Sequence, residues 1–356
     1  MRIFALTRYS EIAAATRQRF AQYRPYLAEN GIELVIAPLL PDAHLTGLNE
    51  GRRSRSAAPR AYLARLATLL RRRDFDLLWV QYELFPYLPG WIERLAFISG
   101  KPVVVDYDDA IFHLYDAHRK GIVRRLLGRK LEPLLSGAAA VVCGNRYLQD
   151  YAARFCPNTI LVPTVVDTDS YVPAPQRHSD PSSLTVGWIG SPTTWVNVEP
   201  LLPAILRTIA PFGARMRAIG PGSSATPHEG LDIVPWSEDR EVAEVQSFDI
   251  GIMPLLDHLF QRGKCGYKLI QYMACGVPTI ASPVGVNTEI VIPGEDGYLA
   301  TTEEEWTKAL RSLLSDPDLR ARMGRAGRQR AEALYSLRIQ QPRLLELFRS
   351  LSSRKG

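Results

Sequence analysis

Four polar residues stand close together in the sequence and can bind a phosphorylated ligand: Arg262, Lys264, Lys268 and Gln271. The last two belong to a segment that reads as a helix closed by Gly276. Because residues three and four apart share a helix face, Lys264, Lys268 and Gln271 are expected to point to one side. Cations stabilise the charge that develops on a departing phosphate. Lys268 is our leading candidate for this catalytic role, with Arg262 or Lys264 as its partner, and a solvated helix face is the alternative.

Two turns can contact the same ligand. In the first, Gly190 lets the backbone approach closely, and the hydroxyls of Ser191 and Thr193 can cap the next helix or donate to phosphate oxygens. A plain strand-to-helix turn with a Ser/Thr cap is the alternative. The second turn begins at Gly285 and leads to a helix start near Thr288. Its backbone N–H groups at 286–288 can face a sugar or a phosphate.

Short apolar runs separated by helical patterns recur along the chain, as expected of buried parallel strands. They fall into two similar series, Ile3–Thr7, Ile32–Ala37, Leu77–Gln81, Pro102–Asp106, Ala139–Val142 and Ile160–Val162, then Thr185–Ile189, Arg217–Ile219, Leu231–Val234, Ile250–Met253 and Thr279–Ala281. The Pro- and Ser-rich stretch 167–183 breaks the rhythm and is interpreted as a linker. The chain is therefore predicted to be α/β, with doubly wound Rossmann-like domains at 1–166 and 184–333 facing across a cleft. The amphipathic segment 334–356 is expected to cross back onto the first domain.

Three carboxylates, Asp106, Asp108 and Asp109, end a strand of the first half. Read alone, the Asp-x-Asp spacing suggests a divalent metal held by hard oxygens. The fold in which such a metal site is expected would not produce two similar halves with the Lys268 region in the second half. No metal is therefore predicted. His113 and His118 lie nearby in the sequence, and each is more often a structural histidine than a catalytic one.

The stretch from Phe248 to Leu299 resembles the donor-site region of retaining glycosyltransferases of group 1, which have the GT-B fold. The positions in register with that family are Lys268, Tyr272–Gly276, Pro278, Ser282, Gly285, Glu289–Val291, Gly294 and Gly297. Two departures stand out, because Gly263 and Gln271 occupy the places of the family's Glu-x7-Glu pair. The resemblance implies the fold and the use of a nucleotide sugar, without naming the sugar.

The same resemblance implies roles for residues in both halves. Gln271 and Glu289 are expected to contact ribose or sugar hydroxyls, with Asn287 in the same turn, and Trp236 lies where the family keeps its base-binding loop. A buried core Trp is the alternative for Trp236. The family's usual His-Asp at a strand end maps onto Asp108 and Asp109, so Asp108 is expected to orient or help deprotonate the acceptor hydroxyl.

The acceptor side is the more basic one. Residues 1–166 hold 23 Lys/Arg against 15 Asp/Glu, whereas 167–356 hold 20 against 22. The excess lies in two clusters, Arg52, Arg53, Arg55, Arg60, Arg65 and Arg71–Arg73, then Arg119, Lys120, Arg124, Arg125, Arg129 and Lys130. An anionic acceptor or membrane surface is favoured over nucleic acid, since no recognition module for the latter appears. Arg8, Arg17 and Arg19 can meet an anionic acceptor, and His113 is a further acceptor-binding candidate.

The chain of 356 residues suits two domains, and 46% of its residues are hydrophobic, as in an ordinary soluble protein. The apolar run at Met1–Thr7 is too short for a signal peptide, and no segment approaches the ~20 apolar residues of a membrane span. The four cysteines show no metal or disulfide spacing. We therefore predict a cytoplasmic protein, peripheral at the inner face of the membrane.

Together these features predict a retaining, metal-independent glycosyltransferase with no cofactor. It would transfer a sugar from a nucleoside-diphosphate sugar to a glycan, a lipid-linked or a small-molecule acceptor, in bacterial polysaccharide or cell-envelope synthesis. Two alternatives remain open. One is a sugar-nucleotide epimerase, and the other is a noncatalytic subunit that binds a nucleotide sugar or acts as a scaffold.

Overall fold

The computed structural model describes residues 1–42, 47, 58–70, 74–174 and 184–353. These residues form two compact units. The first comprises the described parts of Met1–Thr164, His258–Cys265 and Ile339–Gly356. The second comprises the described parts of Val165–Asp257 and Gly266–Arg338.

The first unit is built on a sheet with six strands among its described residues. They are β1 Arg2–Thr7, β2 Glu33–Pro38, β3 Leu77–Gln81, β4 Val103–Tyr107, β5 Ala140–Cys143 and β6 Thr159–Leu161. The spatial order is β2-β1-β3-β4-β5-β6, and every pairing is parallel. The α-helices described up to β6 are α1 Ala14–Arg19, α2 Arg24–Glu29, α3 Ala58–Leu70, α4 His113–Asp116, α5 Gly121–Leu127, α6 Glu132–Gly137 and α7 Arg146–Ala153.

The second unit repeats this plan, with six described strands in the order β12-β11-β10-β7-β8-β9 once they are numbered along the chain. They are β7 Thr185–Ile189, β8 Arg215–Ile219, β9 Leu231–Val234, β10 Ile250–Met253, β11 Thr279–Ala281 and β12 Gly297–Leu299. All of these pairings are also parallel.

The remaining helices follow in chain order: α8 Pro192–Trp195, α9 Leu202–Ile209, α10 Glu241–Gln246, α11 Leu259–Arg262, α12 Tyr267–Ala274, α13 Asn287–Ile290, α14 Glu303–Ser315, α15 Pro317–Leu334 and α16 Leu337–Ser353. Of these, α11 belongs to the first unit, as does α16 from Ile339 onward. No helix among the described residues combines the length and the apolar character that a membrane crossing needs.

The sequence accounts for the central strands, because most of their side chains are apolar and the strands are buried on both faces. In β3 and β4 every residue is buried, and the same holds for β5 and β10. Such continuous burial is typical of parallel strands covered by helices. The predicted α/β class with two doubly wound Rossmann-like sheets is thus confirmed, and each of the eleven predicted runs coincides with a strand. The strand β12 was not predicted, since it contains only Gly297, Tyr298 and Leu299.

The observed division of the chain differs from the predicted boundaries at 258–265. The side-chain amide of Asn145 donates to the backbone oxygens of Gly263 and Lys264, at 2.9 and 3.0 Å. Cys265 lies in the apolar core of the first unit. These contacts group 258–265 with the first unit, although the sequence prediction placed them in the second domain.

The predicted linker 167–183 is described as far as residue 174. Tyr171 is buried in a core cluster of the second unit, and Val166 forms an isolated parallel bridge with Ser336. Residues 167–174 are therefore part of the second unit, and the rest of the predicted linker lies outside the described residues. In the first unit, Phe348 of α16 packs its ring 5.0 Å from that of Trp79.

Candidate functional site

In the second unit the helix α12 carries Lys268 and Gln271 and is held firmly against the sheet. Gly266 has φ +65° before the helix and Gly276 has φ +65° after it, which limits α12 at both ends. The Tyr272 hydroxyl accepts the N–H of Ile189 at 3.2 Å. Its ring covers Gly251, where a Cβ would lie 2.4 Å from the ring. The helix is thereby fixed beside the carboxyl ends of β7 and β10.

Lys268 and the Gly190 turn meet at one aromatic ring. The Lys268 ammonium lies 5.6 Å from the centroid of Trp188, which is 1% exposed. A Cβ on Gly190 would lie 2.5 Å from the same ring, so only glycine fits there. The structure thus brings together two predicted donor-site elements that are far apart in the sequence.

The backbones of Gly190 and Gly220 lie close together at this edge of the sheet. Gly220, with φ +78°, follows β8, and a Cβ on it would lie 2.3 Å from the Gly190 oxygen. The Ser191 N–H donates to the Thr194 hydroxyl at 3.1 Å, and the Ser191 and Thr193 hydroxyls lie 3.0 Å apart. The side chains of Ser191 and Thr194 form a capping box at the start of α8, and Thr193 is exposed.

Gln271 lies inside the second unit rather than open to a ligand. Its side chain is 2% exposed, and its amide donates to Tyr171 Oη at 3.0 Å and Glu241 Oε1 at 2.7 Å. Tyr171 and the Trp236 indole also donate to the Glu241 carboxylate. The amide nitrogen of Gln271 is thus engaged within the second unit, and the expected contact of Gln271 with ribose or sugar hydroxyls stays a prediction. Trp236, half-buried, belongs to the same network.

The second predicted turn packs against the start of α12. Gly285 has φ +55°, and Asn287 is buried with its amide donating to the Ser282 oxygen at 3.0 Å. The Asn287 Oδ1 atom is buried and has no partner among the described residues. Thr288 and Glu289 are exposed. Asn287 is thus a structural support of the turn, and Thr288 and Glu289 are its accessible members.

The two other predicted cations belong to the first unit, whereas Lys268 belongs to the second. The left-handed Gly266 interrupts the helix that was predicted to carry both Lys264 and Lys268. The prediction that they share one helix face is therefore wrong. The Lys264 ammonium instead lies 3.6 Å from Asp109 Oδ1, within the first unit. Arg262 ends α11 in the same unit and is exposed.

Gly263 occupies a site with no room for a side chain. A Cβ there would lie 2.3 Å from the Cβ of Ala110. The first glutamate of the family motif therefore has no space at this position.

The carboxylates at the end of β4 do not share one role. Asp106 is fully buried and accepts from Arg19 Nε at 2.8 Å, from Arg19 Nη2 at 3.2 Å and from Trp79 Nε1 at 3.3 Å. Arg19 is 1% exposed and also donates to the Val162 oxygen at 2.8 Å. The expectation that Arg19 meets an acceptor is wrong, because it neutralises Asp106 inside the core.

Asp108 is the carboxylate with unusual chemistry. The hydroxyl of Tyr82 donates to its Oδ1 atom, and the Cys265 thiol lies 3.1 Å from its backbone oxygen. Burial, and then the charge of Asp109, raise the pKa of Asp108 to about 7. A carboxyl that titrates near neutral pH can accept a proton from a substrate hydroxyl and release it again.

The predicted acceptor residues of the first unit differ in how free they are. His113 bonds Asp116 through Nδ1 and Tyr147 through Nε2, both at 2.7 Å, so its two ring nitrogens are occupied. Arg17 donates to the backbone oxygens of Glu11 and Ile12 at 3.0 and 2.8 Å.

Arg8 is half-buried at the end of β1, where its guanidinium lies 5.9 Å from the centroid of Tyr9. Burial lowers the pKa of Arg8, but the charges of Tyr9 and Glu83 outweigh it, so the pKa is raised. Among the four acceptor candidates, Arg8, Arg17, Arg19 and His113, the role of Arg8 stays a prediction.

The basic clusters lose two members to the core. Arg65 is 3% exposed and donates to the Thr7 oxygen at 2.6 Å. Lys130 is 2% exposed and pairs with Glu83 at 3.1 Å and with Glu93. Arg52, Arg53, Arg55 and Arg71–Arg73 lie outside the described residues. No group of three metal-binding side chains is found in the described part of the chain.

Three residues of these networks were missed by sequence reasoning. Tyr82 follows β3 and could have been found, because the carboxyl ends of neighbouring parallel strands meet at one edge. Glu241 and Tyr171 carry no local signal, since each meets Gln271 only through the tertiary fold.

Two family models match the chain. The model described as glycosyl transferases group 1 matches residues 233–330, and that of the glycosyl transferase 4-like domain matches residues 8–163. With two parallel six-stranded sheets and these matches, the chain belongs to the group-1 glycosyltransferases, and the predicted family is confirmed.

Solved structures of this class are similar over nearly the whole chain. Sucrose-phosphate synthase from Thermosynechococcus elongatus has a TM-score of 0.70 at 16% identity, covering 100% of both chains. Anabaena Alr3699/HepE in complex with UDP-glucose has a TM-score of 0.73 at 15% identity, covering 98% of this chain and 100% of that one. At such identities the likeness shows the GT-B fold alone.

Curated relatives match over shorter stretches. A GDP-mannose-dependent monoacylated alpha-(1-6)-phosphatidylinositol monomannoside mannosyltransferase from Corynebacterium glutamicum is 36% identical over 86 residues, 24% of this chain and 23% of the relative. A D-inositol 3-phosphate glycosyltransferase from Gordonia bronchialis is 39% identical over 69 residues, 19% and 15% of the two chains. The matched stretches thus span less than a quarter of either relative.

The Gln271 network predicts the outcome of restoring the family's glutamate. Gln271→Glu places a second carboxylate against Glu241, and the repulsion raises the pKa of the pair. The folded state then binds more protons than the unfolded state, so stability falls as pH rises above about 4. We expect Gln271→Glu to be less stable than the parent at pH 7 by roughly 1–3 kcal/mol, and close to it at pH 4.

The matched control is the exchanged pair Gln271→Glu/Glu241→Gln, which keeps one carboxylate and one amide and is expected to recover most of the loss. Chemical denaturation at several pH values measures all three proteins. If Gln271→Glu alone is as stable as the parent at pH 7, the repulsion expected between residues 271 and 241 is contradicted.

Proposed function

We propose that this protein is a retaining, metal-independent glycosyltransferase. It transfers a sugar from a nucleoside-diphosphate sugar, bound by the second unit, to a hydroxyl of an acceptor bound by the first unit. The observation that carries the proposal is the convergence of Lys268 and the Gly190 turn on Trp188, beside the carboxyl ends of parallel strands. Ligands of open α/β sheets bind at that edge.

The donor's diphosphate matches the chemistry of this edge. Gly190 and Gly220 expose backbone close to each other, and Thr193 offers a hydroxyl. The ammonium of Lys268 is held against an apolar ring, where a cation interacts more strongly with a phosphate than it does in bulk water. Thr288 and Glu289 are accessible on the neighbouring turn and are assigned to the sugar or ribose hydroxyls.

The transfer breaks the bond between the anomeric carbon and the phosphate oxygen and forms a bond to the acceptor oxygen. Retention follows from front-face attack, in which the acceptor hydroxyl approaches on the face that the phosphate leaves and hydrogen-bonds to that phosphate. Lys268 stabilises the negative charge left on that phosphate. Asp108 orients the acceptor hydroxyl and accepts its proton when ionised.

Metal independence is proposed from the donor groups themselves. Arg19 and Trp79 use both oxygens of Asp106, and Lys264 lies beside Asp109. Arg19 and Lys264 thus balance the negative charge of the carboxylates that a divalent ion would need. Activity that EDTA abolishes and Mn²⁺ restores would refute this point.

The donor is identified by thermal unfolding with a panel of UDP-, GDP-, TDP- and ADP-sugars, because a ligand of the native state raises its stability. The retained anomer is then determined by NMR of the product. Epimers of the donor sugar without transfer would favour an epimerase. Donor binding without any turnover would favour a noncatalytic subunit.

Lys268→Ala is expected to lower kcat by ~10² to 10³ and leave the fold intact, because one electrostatic stabiliser of the departing phosphate is removed. Initial rates with the identified donor measure the effect. The control is Lys308→Ala, since Lys308 is an exposed lysine on α14 of the same unit. Equal rates for parent and Lys268→Ala would exclude Lys268 from the mechanism.

The raised pKa of Asp108 predicts that the transfer rate depends on pH. With a pKa of about 7, the ionised form that accepts a proton gains population as pH rises, so kcat/KM is expected to rise through pH 7. In Asp108→Asn the rise of kcat/KM with pH should disappear. This variant should also slow transfer more than it weakens binding of the nucleoside diphosphate. Calorimetric titration of the diphosphate separates the two effects. Equal losses in binding and transfer would contradict the assignment.

We also propose that the first unit binds an anionic membrane surface through α5. No residue of this helix is buried, and Ile122 and Leu126 are 61% and 67% exposed. They lie four apart and so on one side of the helix. Exposed cations surround them, among them Lys120 and Arg125. An exposed helix with apolar and cationic side chains suits the interface of an anionic bilayer, where the lipid-linked acceptor of a cell-envelope glycan would lie.

Vesicle co-sedimentation tests this surface. We expect binding to anionic vesicles at low salt and release at high salt. Lys120→Ala/Arg125→Ala should weaken binding roughly thirtyfold, from about 1 kcal/mol for each cation. The control Lys308→Ala/Arg311→Ala removes two exposed cations of α14 and should bind as the parent does. Equal binding to neutral and anionic vesicles, or none to either, would leave a soluble acceptor.

A further inference from the structure

The loop after β3 has a strained backbone that local sequence does not require. Tyr82 and Tyr87 have φ values of 62° and 60° and are the non-glycine residues with positive φ in the described part of the chain. Bulky side chains rarely adopt this conformation, and they keep it only where the surrounding structure holds it. Such strain often occurs at functional sites.

Buried charges hold the loop in place. The Glu93 carboxylate accepts the N–H groups of Leu84 at 2.7 Å and Phe85 at 3.2 Å. Glu93 is itself neutralised by Lys130, which also pairs with Glu83 at 3.1 Å. The backbone between Tyr82 and Tyr87 therefore cannot relax without separating these buried groups.

The far end of the loop is fixed in the same way. The Tyr87 N–H donates to the Tyr115 hydroxyl at 3.1 Å, and that hydroxyl donates to the Glu83 carboxylate. At the near end, the Tyr82 N–H donates to the Asp106 oxygen at 3.0 Å. Both strained residues are thus held at their backbones, and the Tyr82 hydroxyl donates to the Asp108 carboxylate.

We propose that Tyr82 is a positioning residue for Asp108, whose hydroxyl holds one carboxylate oxygen so that the other faces the acceptor hydroxyl. Tyr82 is 7% exposed and donates to Oδ1. The hydrogen bond described at this carboxylate is the one that its Oδ1 atom accepts from Tyr82. The assignment of an acceptor to Asp108 rests on the proposed function, whereas the contact between the two side chains does not.

Several ionisable groups act on Asp108, and Tyr82 is the one that donates to its carboxylate. The others are Asp109, Asp106, Arg19 and Cys265, with Lys264 beside Asp109. The two aspartates disfavour the ionised form, and Arg19 favours it. Burial and the charge of Asp108 raise the pKa of Tyr82 well above its usual value, so the hydroxyl remains a donor through the pH range of interest. Donation to the carboxylate stabilises the form that accepts a proton.

The test is Tyr82→Phe, which removes the hydroxyl and keeps the ring. We expect the rising limb of kcat/KM to shift to higher pH by about one unit. Such a shift corresponds to a loss of roughly fivefold at pH 7 that is largely recovered at pH 9. The double variant Tyr82→Phe/Asp108→Asn should show no limb to shift.

The matched control is Tyr62→Phe. The Tyr62 hydroxyl donates to the Pro86 oxygen of the same loop at 2.7 Å, and its ring packs on Phe85. This variant is expected to leave the position of the limb unchanged. An unshifted limb in Tyr82→Phe, or a loss that is the same at every pH, would refute the positioning role.

A second measurement separates this proposal from the proposed function. Titration of the Asp108 carboxyl by carbon-13 NMR needs no substrate and should show the same upward shift in Tyr82→Phe. A shift in a protein without transferase activity would support the positioning contact and refute the function. An unchanged titration would refute the contact, whatever the activity.

Discussion

Parallel pairing of the strands is the constraint on which both candidate sites depend. In a parallel sheet all carboxyl ends lie at one edge, so residues that follow different strands meet there. Tyr82 after β3 and Asp108 after β4 come together in this way. In the second unit, Gly190 after β7 and Gly220 after β8 do the same. Antiparallel neighbours would place these pairs at opposite edges.

Buried ion pairs lie behind the edge of the sheet in the first unit. Arg19 with Asp106, and Lys130 with Glu83 and Glu93, are nearly or fully excluded from solvent. Removing one partner of such a pair typically costs about 3–5 kcal/mol, because the other charge is left uncompensated. Arg19 also shows how a basic residue beside a site can serve the core instead. Its position near Asp108 favours the ionised carboxylate without direct contact with an acceptor.

The two departures from the family motif have separate physical causes. At 263 the neighbouring Ala110 leaves no space for a side chain. At 271 a carboxylate is already present, since Glu241 accepts from Gln271, Tyr171 and Trp236. An amide suits this position because it can donate, which a second ionised carboxylate cannot do. The substitutions are therefore explained by local packing and charge, without loss of the Lys268 region.

The sequence alone determined the fold class, the order of the strands along the chain and the family. These depend on apolar periodicity and on glycine at turns, which are local properties that a linear pattern records. It also singled out Lys268, Gly190 and Asp108, because they follow or accompany recognisable strands and helices. Tertiary structure decided which charged residues are exposed and which are buried. Arg19, Arg65 and Lys130 look like surface cations in the sequence, yet each is buried among acceptors from distant segments. Likewise, Gly266 separates Lys264 from Lys268 by one left-handed residue, and Glu241 reaches Gln271 only when α10 packs beside α12. Pairing between distant residues depends on the folded path of the chain, which spacing along the sequence does not encode.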